Sequence, residues 1–191
     1  TVIPKGFVRV LGKLAEIKDS GIPIYFFVGN HDLWMDDYFE KELNIPIYHE
    51  PKEFLINNKK FLIGHGDGLG PGDFGYKRMK KVFTFPLFKW MFRWIHPDLG
   101  VRLGHYMSVK NKLISGDEDA KYLGDDNEWL VQYCKEKLTK KHYDYFVFGH
   151  RHLPLEIALA ENATYINTGD WISHYTYGVY DGTSLTLQTA K

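Results

Sequence analysis

The chain has 191 residues, 44% of them apolar, enough for one sizeable hydrophobic core, which argues against two equal domains. Its 24 basic and 24 acidic side chains cancel, so bulk charge makes no case for nucleic acid or an acidic membrane surface as partner. A single cysteine, Cys134, excludes an internal disulfide framework, and between Tyr133 and Lys135 it reads as an ordinary helical residue.

The opening TVIPKGFVRV lacks the charged start and long apolar run of a secretory signal. Pro4 suits a first helical turn, and Val8, Leu11, Leu14, Ala15 and Ile17 recur at helical spacing up to Gly21. IPIYFFV, Ile22 to Val28, is uniformly apolar and predicts a central strand buried on both faces, running straight into Gly29-Asn30-His31-Asp32. DDYFEKEL predicts a short helix and IPIYHE a strand. EFLIN and KKFLIG then form a hairpin about Asn57-Asn58. After Asp67 the loop GDGLGPGDFG leads into a segment crowded with Phe83, Phe85, Phe88, Trp90, Phe92 and Trp94. Asp126 is expected to begin another helix, with Trp129, Leu130, Tyr133 and Leu138 apolar, ending near Lys141. The strand pattern resumes in YDYFVFGH, LEIAL, ATYIN, TYGVY and SLTLQT, with Asp181-Gly182 as a two-residue turn between the last pair. The expectation is a single α/β domain over residues 1–191, interrupted between about 68 and 141 by an aromatic-rich helical insertion of the kind that forms lids.

Three segments share one construction: an apolar strand, a glycine, then metal-capable side chains. They are FFVGNHD with Asn30, His31 and Asp32, FLIGHGD with His65 and Asp67, and YFVFGHRH with His150 and His152. Strand tips are where open α/β sheets place ligands. Imidazole nitrogens with amide or carboxylate oxygens make a borderline ligand set suited to Mn, Fe or Zn and more weakly to Mg. Singly, each has a plainer explanation. Asn30 and Asp32 suit turn or helix-cap roles, and His65 a hydrogen-bonded structural histidine. Their joint occurrence at three strand ends points to a metal site.

The ordered set GNHD, GHGD and GHRH resembles the later signature blocks of the calcineurin-like metallophosphoesterases, which use two metal ions on an αββα sandwich. HGD and the aromatic insertion look closer to the lipid A pathway diphosphatases that act on UDP-2,3-diacylglucosamine. The resemblance implies Asn30, His65 and His150 as ligands of one metal, His152 as ligand of the other, and Mn as the metal in use. It makes His31 the residue contacting the scissile phosphate, oriented by Asp32. The diphosphatases often carry Arg where His31 stands. The family pattern also has two earlier blocks, Asp-x-His and Gly-Asp-x-x-Asp, and nothing before Asn30 matches them. That region holds only Glu16 and Asp19 as carboxylates and no histidine, so the chain is expected to be the remainder of a longer protein whose opening strands precede it. The implied ligands give one metal three protein groups and the other one, so a complete dinuclear site is not expected from these residues alone. The implied reaction is pyrophosphate cleavage releasing UMP and 2,3-diacylglucosamine 1-phosphate, at the cytoplasmic face of a Gram-negative inner membrane.

VFTFPLFKWMFRWIHPDLG alternates large apolar groups with Lys89 and Arg93, and it is too charged to span a bilayer, which needs about 20 apolar residues. Two readings stand: a buried structural helix, or an acyl-chain cleft or interfacial face. Asp73, Tyr76, Arg78, Ser108, Lys110 and Asn111 flank the insertion as candidates for the nucleotide and sugar phosphate, or as solvated helix positions. INTGDW, Ile166 to Trp171, either walls the site or shapes a turn. Three further functions compete: another phosphodiesterase or phosphatase of the same superfamily, a non-catalytic phosphoesterase-like scaffold that need not bind metal, and a nucleic-acid binder using the basic aromatics of residues 77–94. Zero net charge weighs against the last.

Overall fold

The computed structural model describes residues 6–72, 74–115, 121–125 and 127–190, with side chains described outside 108–115. Pro4, Asp73 and Asp126 therefore lie outside the described residues. The chain divides into two compact units, Thr1–His49 with Arg78–Ile114, and Glu50–Lys77 with Ser115–Lys191.

The second unit contains the main sheet. Strands β3 (Lys52–Ile56), β4 (Lys59–Ile63), β5 (Tyr145–Phe148), β6 (Pro154–Ala160) and β7 (Ala163–Thr168) pair in the order β3-β4-β5-β7-β6. The inner three, β4, β5 and β7, run parallel, while β3 and β6 close the edges antiparallel. Asn57 and Asn58, both at positive φ (47° and 63°), make the tight β3–β4 turn expected of the Asn-Asn pair. Asp144 ties the starts of β4 and β5 together, its carboxylate accepting from Lys60 N at 2.8 Å and Lys59 Nζ at 2.9 Å.

Strand alternation divides the sheet's two faces. Phe146 and Phe148 point to one side and join Leu62, Tyr143 and Tyr165 in packing against Leu130, Val131 and Cys134 of α6 (Trp129–Leu138). Tyr145 and Val147 point to the other, where Phe61 and Ile166 meet Leu185, Leu187 and Tyr180 of the hairpin β8 (Thr176–Tyr180) and β9 (Leu185–Thr189). This gives a helix, sheet, sheet layering with a core on each side of the central sheet. The helix expected after Asp126 is thus a core element of this unit, and Cys134 is a packing residue whose burial pushes its thiol pKa well up. The last hairpin has a two-residue tip one position later than expected. Asp181 N donates to Ser184 O at 3.2 Å, leaving Gly182-Thr183 at the tip, and Asp181 Oδ1 accepts from the N–H groups of Thr183 and Ser184 and from the Thr183 hydroxyl.

The first unit holds α1 (Val8–Asp19), β1 (Phe26–Phe27), α2 (Tyr38–Leu43), β2 (Ile47–Tyr48), α4 (Pro86–Arg93) and most of α5 (Pro97–Ser115). The boundary between the units falls within α3 (Phe74–Phe83), after Lys77. The expected central strand is shorter than its apolar run. Only Phe26 and Phe27 form a ladder, parallel to β2, and Ile22 and Tyr25 are exposed. Apolarity alone does not make a central strand, which needs pairing and cover on both sides; among the described residues β1 pairs with β2 alone. Phe26 packs edge-on to Phe39 at 4.9 Å, beside the buried Val28 and Ile45.

Two outcomes are expected. Phe146→Ala removes a fully buried ring from the α6 side of the sheet and costs about 3–5 kcal/mol in urea unfolding. The hydrogen bonds to Asp181 hold its pKa down at about 2, so its contribution is complete above the unfolded value near 4 and is lost as pH falls toward about 2. Amide exchange in β8–β9 should rise across that window, and Asp181→Ala should remove the pH dependence.

Candidate active site

The shared direction of β4, β5 and β7 brings their carboxyl ends to one edge of the sheet. Beyond β4 come Gly64 and His65, beyond β5 Gly149 and His150, and beyond β7 Gly169 and Asp170. The parallel ladder continues into these tips, with Gly64 N donating to Val147 O at 3.1 Å and Gly149 N to His65 O at 2.9 Å. His65 and His150 consequently lie side by side, ring centroids 5.4 Å apart. Asn167, fully buried, fixes the next tip by donating from Nδ2 to Gly149 O at 2.5 Å and accepting Gly169 N at Oδ1. Gly169 sits at φ +71°, and a Cβ there would lie 2.5 Å from Thr176 Oγ1 and 2.8 Å from Pro154 Cγ, so only glycine fits.

The GHRH turn carries backbone strain. His150 and His152 both have positive φ, 70° and 51°. Such conformations cost on the order of 1–3 kcal/mol each in non-glycine residues and persist where surroundings over-determine them. Arg151, between the two histidines, supplies that constraint. Its Nε and Nη2 lie 3.0 and 3.1 Å from the carboxylate of Glu128, and Nη2 also donates to Lys121 O at 2.7 Å. Glu128 is fully buried at the start of α6, and its Oε1 accepts Leu123 N as well. The turn is therefore bolted to the helix that fills one face of the sheet.

His152 lies 3.4 Å, Nδ1 to Oδ2, from Asp170. Burial alone would raise the Asp170 pKa, but the backbone N–H groups of Ser173, His174 and Ile172 outweigh it and hold the carboxylate well below its usual range. Asp67, also buried, accepts the Tyr76 hydroxyl at 2.5 Å, and the Tyr76 ring stands 6.3 Å from that of His150.

Asn30, His31 and Asp32 occupy a turn of the first unit, closed by Asp32 N donating to Gly29 O at 3.0 Å, with His31 exposed. That turn leads directly to an anchor for the aromatic segment. Trp34 Nε1 donates to Phe83 O at 2.7 Å and its ring meets Phe92 at 4.5 Å, while Asp36 pairs with Lys89 and Arg93. Arg78 is exposed on α3. Ser108, Lys110 and Asn111 fall on α5 with side chains outside the description, as does Asp73 altogether.

Tested as a metal centre, the second unit's donors fit in kind, since neutral imidazoles suit borderline divalent ions. Among the described residues, however, no group of three or more His, Cys, Asp or Glu side chains closes on one point, so His65 and His150 stand as a donor pair.

The family model described as calcineurin-like phosphoesterase matches residues 3–154. The chain belongs to that family. This phosphoesterase is accordingly a hydrolase of a family whose members work with divalent metals. It is 35% identical over 204 residues to the UDP-2,3-diacylglucosamine hydrolase of Porphyromonas gingivalis, covering all of this chain and 77% of that protein. It is 25% identical over 146 residues to the protein of the same name from Yersinia pestis bv. Antiqua (strain Angola), covering 76% of this chain and 59% of the relative. A solution NMR structure of a Themotoga maritima protein matches with a TM-score of 0.39 and 14% identity over 94% of this chain and 74% of its own, too loose a likeness to bear on fold or function.

Sequence reasoning placed His65 and His150 at neighbouring strand tips but passed over Asn167, Glu128 and Arg151, and left Asp170 inside a stretch with two readings. The apolar-strand, glycine, polar pattern of INTGD was the available signal for Asp170. Glu128 has no comparable signal, because its burial depends on where α6 docks.

Breaking the buried pair should be costly. Glu128→Ala leaves the Arg151 guanidinium without its carboxylate and is expected to lower stability by about 3–5 kcal/mol, read from urea unfolding monitored by tryptophan fluorescence.

Proposed function

We propose that this phosphoesterase hydrolyses the pyrophosphate of UDP-2,3-diacylglucosamine, releasing UMP and 2,3-diacylglucosamine 1-phosphate, with Mn as its metal. The observation that carries the reading is the match of this whole chain to 77% of the Porphyromonas gingivalis relative that bears this substrate in its name. In this proposal His65 and His150 hold one metal and His152 reaches the other. Divalent ions bound there supply an activated water and positive charge for the phosphoryl oxygens. Asn30 keeps the ligand role the resemblance implies. His31 contacts the scissile phosphate and donates a proton to the leaving oxygen, with Asp32 orienting it.

The aromatic segment supports a lipid substrate. No residue of α4 is buried, and Leu87, Phe88, Trp90, Met91 and Trp94 are exposed together, with Trp94 at 78%. A patch of this kind marks an interaction surface. Its basic neighbours Lys89 and Arg93 are engaged by Asp36, so the exposed rings rather than free cations carry the contact. Of the two readings left open by the sequence, the exposed one is favoured. No helix among the described residues is long and apolar enough to cross a membrane. The segment accordingly serves as a lid or interfacial face, gripping acyl chains and drawing substrate from the cytoplasmic leaflet of a Gram-negative inner membrane.

The test is UMP release from UDP-2,3-diacylglucosamine with and without Mn, by protein carrying the two earlier ligand blocks upstream of residues 1–191. Mn-dependent release is expected, reduced at least about 100-fold by His65→Ala or His150→Ala, since even partners of metal ligands cost up to that much. Absence of UMP release together with hydrolysis of bis-p-nitrophenyl phosphate would replace this reading with another phosphodiesterase of the family. Trp94→Glu, at an exposed position, is expected to raise KM for the diacylated substrate and reduce binding to anionic vesicles. Hydrolysis of a water-soluble phosphodiester should be unchanged by it.

A further inference from the structure

The loop after β7 contains a carboxylate whose two oxygens have different work. Asp170 Oδ1 accepts three backbone N–H groups, from Ile172 at 3.0 Å, Ser173 at 2.7 Å and His174 at 3.0 Å. Three donors saturate that oxygen. The His174 imidazole, with Nδ1 3.7 Å from the same Oδ1, accordingly has no hydrogen-bond partner for Nδ1 among the described residues. Oδ2 faces Nδ1 of His152 at 3.4 Å, an ion-pair distance without an in-line hydrogen bond, and the Asp170 side chain is only 9% exposed, whereas His152 is 44% exposed. Capping the 172–174 turn requires Oδ1 alone and would be served equally by asparagine. The second oxygen and the burial of a full charge are not explained by the turn.

We propose that Asp170 is a positioning residue that sets the tautomer of His152. The negative charge 3.4 Å from Nδ1 favours the proton of His152 on that nitrogen and leaves the lone pair on Nε2, the state in which an imidazole can bind a divalent cation through Nε2. The inference rests on the reading of His152 as a metal ligand and adds to it a residue that does not touch the metal. The three backbone donors fix Asp170, Asp170 fixes the ring, and the Glu128–Arg151 bolt fixes the backbone on which the ring is mounted.

Asp170→Asn separates this role from a structural one. The amide oxygen keeps the three backbone donors, so the turn survives, but the amide nitrogen then faces Nδ1 as a donor. The ring is driven to the Nε2–H tautomer, which has no lone pair left for a metal at that nitrogen. The tautomer is read by long-range 1H–15N correlation of the imidazoles in the metal-free full chain above the histidine pKa, with His152→Gln assigning the signals. The wild type should show Nδ1–H at His152 and the variant Nε2–H. Mn affinity, followed by the EPR signal of free Mn, should fall about 10–100-fold in Asp170→Asn while the thermal midpoint of the apoprotein stays close to wild type. An Nε2–H tautomer in the wild type would overturn the proposal without any variant. An unchanged Mn affinity in Asp170→Asn, with affinity lost in His152→Gln, would overturn it while sparing the ligand reading. Full Mn binding by His152→Gln would remove the ligand reading and this inference together.

Discussion

The parallel alignment of β4, β5 and β7 is the constraint on which the candidate site depends. Parallel strands end at the same edge, so three separate apolar segments deliver their following glycines and polar residues to one place. The ladder does not stop at the last apolar residue. Gly149 N reaches His65 O, and Asn167 reaches Gly149 O, so the backbone that mounts the polar groups is held by the same hydrogen bonds that make the sheet. Had any of the three run antiparallel, its glycine and polar residue would lie at the opposite edge.

That precision is maintained against strain. His150 and His152 adopt left-handed backbone conformations that the free chain would seldom visit. The opposing force comes from burial and charge. Phe146, Phe148 and Tyr165 bind α6 to the sheet, α6 brings Glu128 into a buried position, and Glu128 holds Arg151 between the two histidines. Packing energy from one face of the sheet is thereby converted into a fixed backbone at its edge. An ion pair buried this deeply contributes little net stability compared with apolar groups of the same shape, and specificity of the turn is the better account of its presence.

The aromatic segment follows a different rule. Trp34 and Asp36, within a few residues of the GNHD turn, secure α4 through the Phe92 ring contact and two ion pairs, and the end of α3 through the indole hydrogen bond to Phe83 O. The rest of the segment stays exposed. Large rings are usually placed in cores because burying them is favourable by a few kcal/mol apiece, so the exposure of Trp90, Trp94 and Phe88 is the feature on which the proposed lipid contact rests.

The sequence by itself determined the α/β class, nearly every strand of the main sheet, the Asn57-Asn58 turn and the pairing of glycine with metal-capable residues at the strand tips. These are local properties: side-chain period, turn chemistry and residue type act over a few positions. It misjudged IPIYFFV, because a run of apolar residues shows only that cover is wanted and not which neighbours supply it. It also placed the last two-residue turn one position early, since Asp181 still pairs with Ser184 and its side chain caps Thr183 and Ser184. The tertiary structure alone decided that α6 belongs to the core rather than to the insertion's exposed part, that Glu128 meets Arg151, and that Asp170 stands beside His152. Each joins residues that are distant along the chain or separated by a turn, and a buried carboxylate is tolerated only once its partner is in place. No local pattern encodes that partner, so only the folded arrangement reveals it.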